Sequence, residues 1–108
     1  MIIRIVRMEF APEHIPAFET LFASSKTHIR TQPGCLHLEM HQDAHLPHVR
    51  YTYSKWTDEA ALNAYRNSEL FGQVWPKTKA LFAGKPMAFS LTHLETVDAE
   101  SSPAQDKT

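Results

Sequence analysis

The N-terminal third of the chain changes from a strand-like to a helix-like pattern of apolar residues. The segment from Ile2 to Phe10 (IIRIVRMEF) is rich in β-branched and apolar types and lacks Gly and Pro, which predicts a first strand. Pro12 then suits the first turn of a helix, where its missing N–H is not needed. Residues recurring at three- and four-residue spacing give that helix one largely apolar face, until Pro33-Gly34 ends it: Ile15, Phe18, Leu21, Phe22, Ser25 and Ile29. Such a face needs a sheet to cover it.

The middle of the chain predicts a hairpin of two strands. Residues 35–42 (CLHLEMHQ) alternate strictly, so one side of the strand should carry Leu36, Leu38 and Met40, and the other Cys35, His37, Glu39 and His41. Residues 49–56 (VRYTYSKW) favour a strand through their Val, Tyr, Thr and Trp content. The turn-forming residues between the two segments predict a loop that joins them as a hairpin.

Two helical segments and a last strand follow. Thr57-Asp58 is a good N-cap for a helix from about Glu59 to Arg66, and Asn67-Ser68 separates it from a second helical run that closes at residues 83–86. Residues 87–95 (MAFSLTHLE) predict the last strand. The mixed charges and Ser-Ser-Pro of the remainder indicate a mobile segment. We therefore expect one domain over residues 1–96 and a mobile C-terminal tail over residues 97–108.

The predicted order β-α-β-β-α-β indicates an α+β, ferredoxin-like fold, with a four-stranded antiparallel sheet and helices on one face. The first strand is apolar on both sides, and the last sets Met87, Phe89 and Leu91 opposite Ala88 and Leu94. An isolated monomer would expose much of this apolar surface on the uncovered face. We therefore predict a homodimer with the two sheets packed face to face, a dimeric α/β barrel.

Composition narrows the classes of partner. The 108 residues support a single domain, and 43% hydrophobic with 21% charged residues is ordinary for a globular protein. A net charge of −1 and a pI near 6.6 argue against nucleic acid and membrane partners, and no apolar stretch is long enough to span a bilayer. The single cysteine and the absence of a leader-like N-terminus predict a cytoplasmic protein. Only three glycines and no Gly-rich phosphate loop disfavour nucleotide, NAD and FAD binding.

The polar side chains on one face of the second predicted strand form the clearest cluster of candidate chemistry. His37 and His41 are four residues apart and so about 13 Å along a strand, too far to share one zinc ion, and we predict no metal site. Neutralisation of Glu39 by a neighbouring strand would leave His37 as a buried base. The alternative is a satisfied polar cluster inside the dimer. Cys35 has no basic neighbour in sequence and is expected to be a buried filler.

Four motifs in order resemble the antibiotic biosynthesis monooxygenase family. They are Gln32-Pro33-Gly34-Cys35-Leu36, the strand end Lys55-Trp56, the helix Asp58-Glu59-Ala60-Ala61-Leu62-Asn63-Ala64-Tyr65, and Ser68-Glu69-Leu70-Phe71. The resemblance covers residues 2–95 and implies a dimeric α/β barrel. The family includes cofactor-free oxygenases of anthrones and quinols, haem-degrading relatives, and members with no known activity.

The resemblance implies a pocket between sheet and helix framed by Trp56 and Tyr65. A flat aromatic floor and a phenolic donor suit a planar substrate, and cofactor-free oxygenation needs little more than a dry cavity, an oxyanion donor and a base. We predict Tyr65 and His37 as catalytic residues and a set of substrate-binding residues: Trp56, Thr52, Arg7, Trp75 and Phe71. The alternative is that Trp56 and Tyr65 only fill the core.

The departures from the family pattern limit the chemistry. Many relatives carry His where this chain has Tyr65, and another His where it has Leu70. Haem-degrading relatives need an Asn on the first strand, a Trp on the second helix and a haem-ligating His further along it. The matching positions here look like Arg7, Tyr65 and Trp75, so the haem ligand is missing and haem degradation is not expected. We expect a monooxygenase with no cofactor acting on a small aromatic, quinol-type or polyketide-like substrate, the alternative being a non-catalytic ligand-binding or stress-response dimer.

Overall fold

A computed structural model describes residues 1–101, in which the strands form a four-stranded antiparallel sheet. The strands are β1 (Ile2–Glu9), β2 (Cys35–Gln42), β3 (Val49–Trp56) and β4 (Met87–Thr92), in the order β2-β3-β1-β4. A short 3₁₀ turn at Pro12–His14 leads into the first helix, and the helices on one face of the sheet are α1 (Ile15–Arg30), α2 (Glu59–Arg66) and α3 (Glu69–Lys79). The α+β, ferredoxin-like fold predicted from the sequence is confirmed.

Local signals in the sequence set the helix boundaries. The Asp58 side chain accepts a hydrogen bond from the Ala61 N–H at 2.8 Å, and the Ser68 side chain accepts one from the Phe71 N–H at 3.2 Å. Each of the two helices α2 and α3 therefore has its own N-cap. Gly34 follows α1 with φ +82°, and a Cβ atom there would lie 2.5 Å from the Cβ of Ala61. The end of α1 thus approaches α2 closely enough to require glycine.

The alternation predicted for β2 is wrong at the start of the strand. Cys35 pairs with Trp56 and His37 with Lys55, so the register between β2 and β3 shifts between Cys35 and His37. This irregularity turns Cys35 to the helix side, where it is buried against Trp56 and Leu62, and leaves Leu36 45% exposed. From residue 38 onward the predicted sides hold, with Leu38 and Met40 facing the helices.

The first and last strands of the chain each stop earlier than predicted. Strand β1 stops at Glu9, and Phe10 makes only an isolated bridge to Phe82. Strand β4 stops at Thr92 rather than at residue 95. Residues 99–101 form a short 3₁₀ turn, and residues 102–108 of the predicted tail lie outside the described residues. The division into a domain and a mobile tail stays a prediction.

The face of the sheet opposite the helices has no cover within residues 1–101. Its β4 side chains Met87, Phe89 and Leu91 are 48%, 47% and 44% exposed. They lie beside β1, where Phe89 is the register partner of Ile5. Contiguous exposed apolar surface of this kind marks an interaction site.

Candidate active site

A cavity of about 290 Å³ lies between the sheet and the three helices. It separates two groups of buried side chains, one around Phe10 and Phe18 and the other around Trp56 and Leu62. Its volume is near the lower end of the range for small-molecule sites, so it fits one small ligand. The helix-side face of the sheet, and not the uncovered face, therefore lines the enclosed space of the protomer.

Aromatic rings follow one another along this cavity. Trp56 stacks on Tyr65 with ring centroids 5.0 Å apart and planes inclined by 20°. Tyr65 meets Phe71 edge to face at 5.2 Å, and Phe71 stacks on Trp75 at 5.7 Å with an angle of 18°. All four rings belong to the cavity wall, so they offer flat apolar surface to a planar ligand.

Trp56 closes the cavity as part of the core. Its side chain is 1% exposed, and its Nε1–H donates a hydrogen bond to Ser54 Oγ at 3.0 Å. The single donor of the indole is therefore already used and is not available to a ligand. The ring fills core volume and also lines the cavity, and its role in substrate binding stays a prediction.

The hydroxyl of Tyr65 has an unusual environment for a largely buried tyrosine. No residue within 1–101 hydrogen-bonds to it, although the ring is largely buried. Burial, and to a lesser degree the nearby Cys35, raises the pKa of Tyr65 to about 12. The phenol therefore keeps its proton at neutral pH and can act as a hydrogen-bond donor to a bound molecule.

Thr52 supplies a second hydroxyl without a partner among residues 1–101. Three other hydroxyls of the wall are engaged. Ser25 donates to the Leu21 carbonyl and Thr78 to the Val74 carbonyl, each at 2.9 Å, and Ser54 donates to the Arg4 carbonyl at 3.5 Å. The hydroxyls that remain free for a ligand in this part of the chain are thus those of Thr52 and Tyr65.

Two arginines that the sequence interpretation did not single out also line the cavity. Arg4 lies on the helix side of β1, and its guanidinium donates to Ser90 Oγ at 2.9 Å. Burial lowers the pKa of Arg4, and the charge of Arg66 lowers it further. The described wall contains no Asp, Glu or His. The alternation Arg4, Val6, Met8 places Arg4 on an otherwise apolar face and was a signal that could have identified it.

Arg7 and His37 do not line this cavity. Arg7 is on the other face of β1, with its guanidinium 3.8 Å from a Glu9 carboxylate oxygen. His37 contacts the carboxylate of Glu39, whose second oxygen is 2.6 Å from the His41 ring nitrogen. The hydrogen bond with His37, and to a smaller degree the one with His41, lowers the pKa of Glu39. The catalytic role of His37 and the substrate-binding role of Arg7 stay predictions, and they would require a ligand on the uncovered face of the sheet.

Of the predicted site residues, the structure brings five together around one cavity and leaves two outside it. The five are Thr52, Trp56, Tyr65, Phe71 and Trp75. They come from β3, α2 and α3, so only the folded sheet-helix arrangement unites them. No set of three or more His, Cys, Asp or Glu side chains within residues 1–101 is arranged to hold a metal ion.

Comparison with protein families decides the relationship of this chain. The model of the family described as antibiotic biosynthesis monooxygenase matches residues 1–75. The chain belongs to this family. The match includes β1 to β3, α1 and α2 and ends inside α3, so it covers Thr52, Trp56, Tyr65 and Phe71 and ends at Trp75. A comparison with curated proteins gives no match.

Solved structures share the fold over nearly the whole chain. A Pseudomonas aeruginosa protein is 30% identical, with a TM-score of 0.77 over 87% of this chain and 94% of its own. A crystal structure of an antibiotic biosynthesis monooxygenase is 22% identical, with a TM-score of 0.83 over 88% of this chain and 100% of its own. A Mycobacterium tuberculosis protein is 18% identical, with a TM-score of 0.81 over 90% and 98%.

The helices α1, α2 and α3 contain 16, 8 and 11 residues. Within residues 1–101, none combines the length and the apolar character that a bilayer crossing requires.

Proposed function

We propose that the protein is a cofactor-independent monooxygenase that acts with dioxygen on a small aromatic, quinol-type or polyketide-like substrate. The observation that supports this most is the pairing of an aromatic wall with the unpartnered hydroxyls of Tyr65 and Thr52 in one cavity. Membership of the monooxygenase family supports the same class of reaction. The substrate would lie against the rings of Trp56, Phe71 and Trp75.

In this proposal the substrate supplies the electrons itself. The substrate loses a proton to solvent, and the resulting anion of the quinol or anthrone transfers an electron to dioxygen. The two radicals combine to a peroxide anion, which takes up a proton from solvent to give a hydroperoxide that loses water. For an anthrone the net change converts a ring methylene and dioxygen into a ring carbonyl and water. Tyr65, neutral because of its raised pKa, would donate a hydrogen bond to the substrate oxyanion, and Thr52 a second. The apolar wall excludes the water that would compete for these donors.

Dioxygen uptake tests the proposal. A panel of hydroquinones and anthrones is supplied with a metal chelator present, and consumption is followed with an oxygen electrode. We expect chelator-resistant uptake that exceeds spontaneous oxidation and that a redox-inert planar ketone of the same size suppresses by filling the cavity. Uptake that the chelator abolishes, or that no cavity-filling competitor slows, would contradict the proposal.

The second candidate function is a non-catalytic ligand-binding or stress-response dimer of the same fold, and one specific observation favours it. The described wall lacks any carboxylate or imidazole that could remove a proton from a substrate. Intrinsic fluorescence distinguishes the two functions, because both tryptophans of the chain, Trp56 and Trp75, line the cavity. Quenching by planar ligands with no uptake of dioxygen would support the binding protein.

The proposed assembly is a homodimer in which the uncovered sheet faces pack together. The exposed side chains of Met87, Phe89 and Leu91 support it, because a second copy would present the same apolar face and remove both from water. A cytoplasmic location is proposed because Cys35, the single cysteine, cannot form a disulfide within the chain. Sedimentation that gives a stable monomer of 12.3 kDa in dilute solution would contradict the dimer.

A further inference from the structure

The wall of the cavity carries charge at one place, where two cationic side chains lie. Of the residues that line it, only Arg66 and Ala88 are exposed, so they mark the mouth. Arg4 lies on β1 opposite Ser90 of β4, the edge strand that also carries Ala88. Its guanidinium is half-buried and bonds to Ser90 Oγ. The positive charge is therefore concentrated where a ligand would enter.

Neither cation has an anionic partner in the described chain. Two other arginines do have one, since Arg7 lies near Glu9 and Arg50 near Glu19. No Asp or Glu within residues 1–101 forms an ion pair with Arg4 or Arg66, and no carboxylate lines the cavity. The charge of Arg66 is one cause of the lowered pKa of Arg4, so the two guanidinium groups repel each other. An anion between them would relieve that repulsion.

We propose that the ligand of this cavity is an aromatic carboxylate, with its rings against the aromatic wall and its carboxylate at the mouth between Arg4 and Arg66. The planar, fork-like guanidinium group matches the two oxygens of a carboxylate. The serines beside Arg4 on both neighbouring strands, Ser54 and Ser90, are small and leave room above the sheet for this group. The inference rests on the proposed function only in that it names the substrate class of the same cavity.

The test measures binding rather than turnover. A naphthalene carboxylate and the corresponding primary carboxamide, which have the same shape and differ in charge, are titrated against the full chain while tryptophan fluorescence is followed. We expect the carboxylate to bind about ten- to a hundredfold more tightly than the amide, as for a hydrogen bond to a charged group. Raising the ionic strength should weaken carboxylate binding and leave amide binding unchanged.

Substitutions assign the effect to the two arginines. Arg4→Gln should reduce the preference for the carboxylate about tenfold, and Arg4→Lys should restore part of it because the charge remains. Arg66→Gln, at an exposed position that folding tolerates, should reduce it about two- to fivefold. Lys77→Gln is the control, because it removes the same charge from an exposed position of α3 outside the cavity. It should leave the preference unchanged.

Several outcomes would overturn the inference. These are equal affinity for carboxylate and amide, a preference that survives both Arg4→Gln and Arg66→Gln, or a preference that Lys77→Gln removes as well. Failure of the proposed function is a separate result. If the carboxylate preference is present but no aromatic acid or quinol stimulates dioxygen uptake, the ligand class stands and the monooxygenase does not. If neutral quinols are oxygenated and carboxylates are not bound in preference to amides, the monooxygenase stands and the ligand class does not.

Discussion

Replacing Tyr65 by Phe removes one hydroxyl and keeps the ring that stacks on Trp56. Because no residue within 1–101 hydrogen-bonds to that hydroxyl, no buried group loses a partner. The free energy of unfolding should therefore change by less than about 1 kcal/mol, compared with about 1 to 3 kcal/mol when a buried partner is left unsatisfied. If the hydroxyl donates to the substrate oxyanion, the rate of turnover should fall about 10² to 10³-fold.

The assay combines urea unfolding with dioxygen uptake on the same preparation. Tyr53→Phe is the matched control, because Tyr53 lies on the uncovered face of β3 and its hydroxyl is outside the cavity. It should leave turnover unchanged. Unchanged turnover in Tyr65→Phe together with a loss of 1 kcal/mol or more in stability would refute the reasoning and return Tyr65 to a purely structural role.

Three further predictions concern the fold and the assembly. Phe89→Arg should shift sedimentation from dimer to monomer, and an unchanged dimer would place the interface elsewhere. Gly34→Ala should lower the free energy of unfolding by at least about 2 kcal/mol, because φ is +82° and the new Cβ would clash with Ala61. Gly72→Ala is the control: its Cβ meets no atom within 4 Å, and it should stabilise α3 by roughly 0.5 to 1 kcal/mol. Equal effects of the two substitutions in denaturant unfolding would contradict this. Glu39→Gln should lower the melting temperature near neutral pH, because hydrogen bonds from the histidines lower the pKa of Glu39 below its usual 4.5. That contribution is present above pH 4.5 and is lost as the pH falls through the lowered value, so a difference that persists in acid would argue against it.

The elements that were predicted correctly depend on local information. Strands β2 and β3 have the predicted boundaries, because alternation and residue type set them, and the turn formers between them need no distant contact. The separation of α2 from α3 follows from Asp58 and Ser68, whose side chains cap the first turn of each helix. Such signals act within four residues and are legible in a sequence.

The start of β2 was mispredicted because its register is not local. Which side Cys35 faces depends on how it pairs with Trp56 across the sheet and on the turn at Gly34 that brings α1 close to α2. A shift of one residue exchanges the two faces of a strand, so Leu36 became exposed where alternation predicted an inward position.

The candidate site was predictable only in part for a similar reason. Resemblance to the family identified Trp56 and Tyr65 because they stand in its motifs. It also pointed to Arg7, which occupies a family position on β1, but the two-residue period of a strand places Arg7 away from the cavity and Arg4 toward it. Arg66 is next to Tyr65 in an exposed helix turn, where no sequence pattern distinguishes a wall residue from a solvated one.

The most direct test of the proposed monooxygenase uses isotopically labelled dioxygen. An anthrone, or a quinol that the uptake assay identifies as a substrate, is turned over with metal chelator present, and the product is analysed by mass spectrometry. The proposed reaction predicts that one labelled oxygen atom enters each product molecule and that the other appears in water. Product without label, or label incorporated equally by the Tyr65→Phe variant at the wild-type rate, would contradict it.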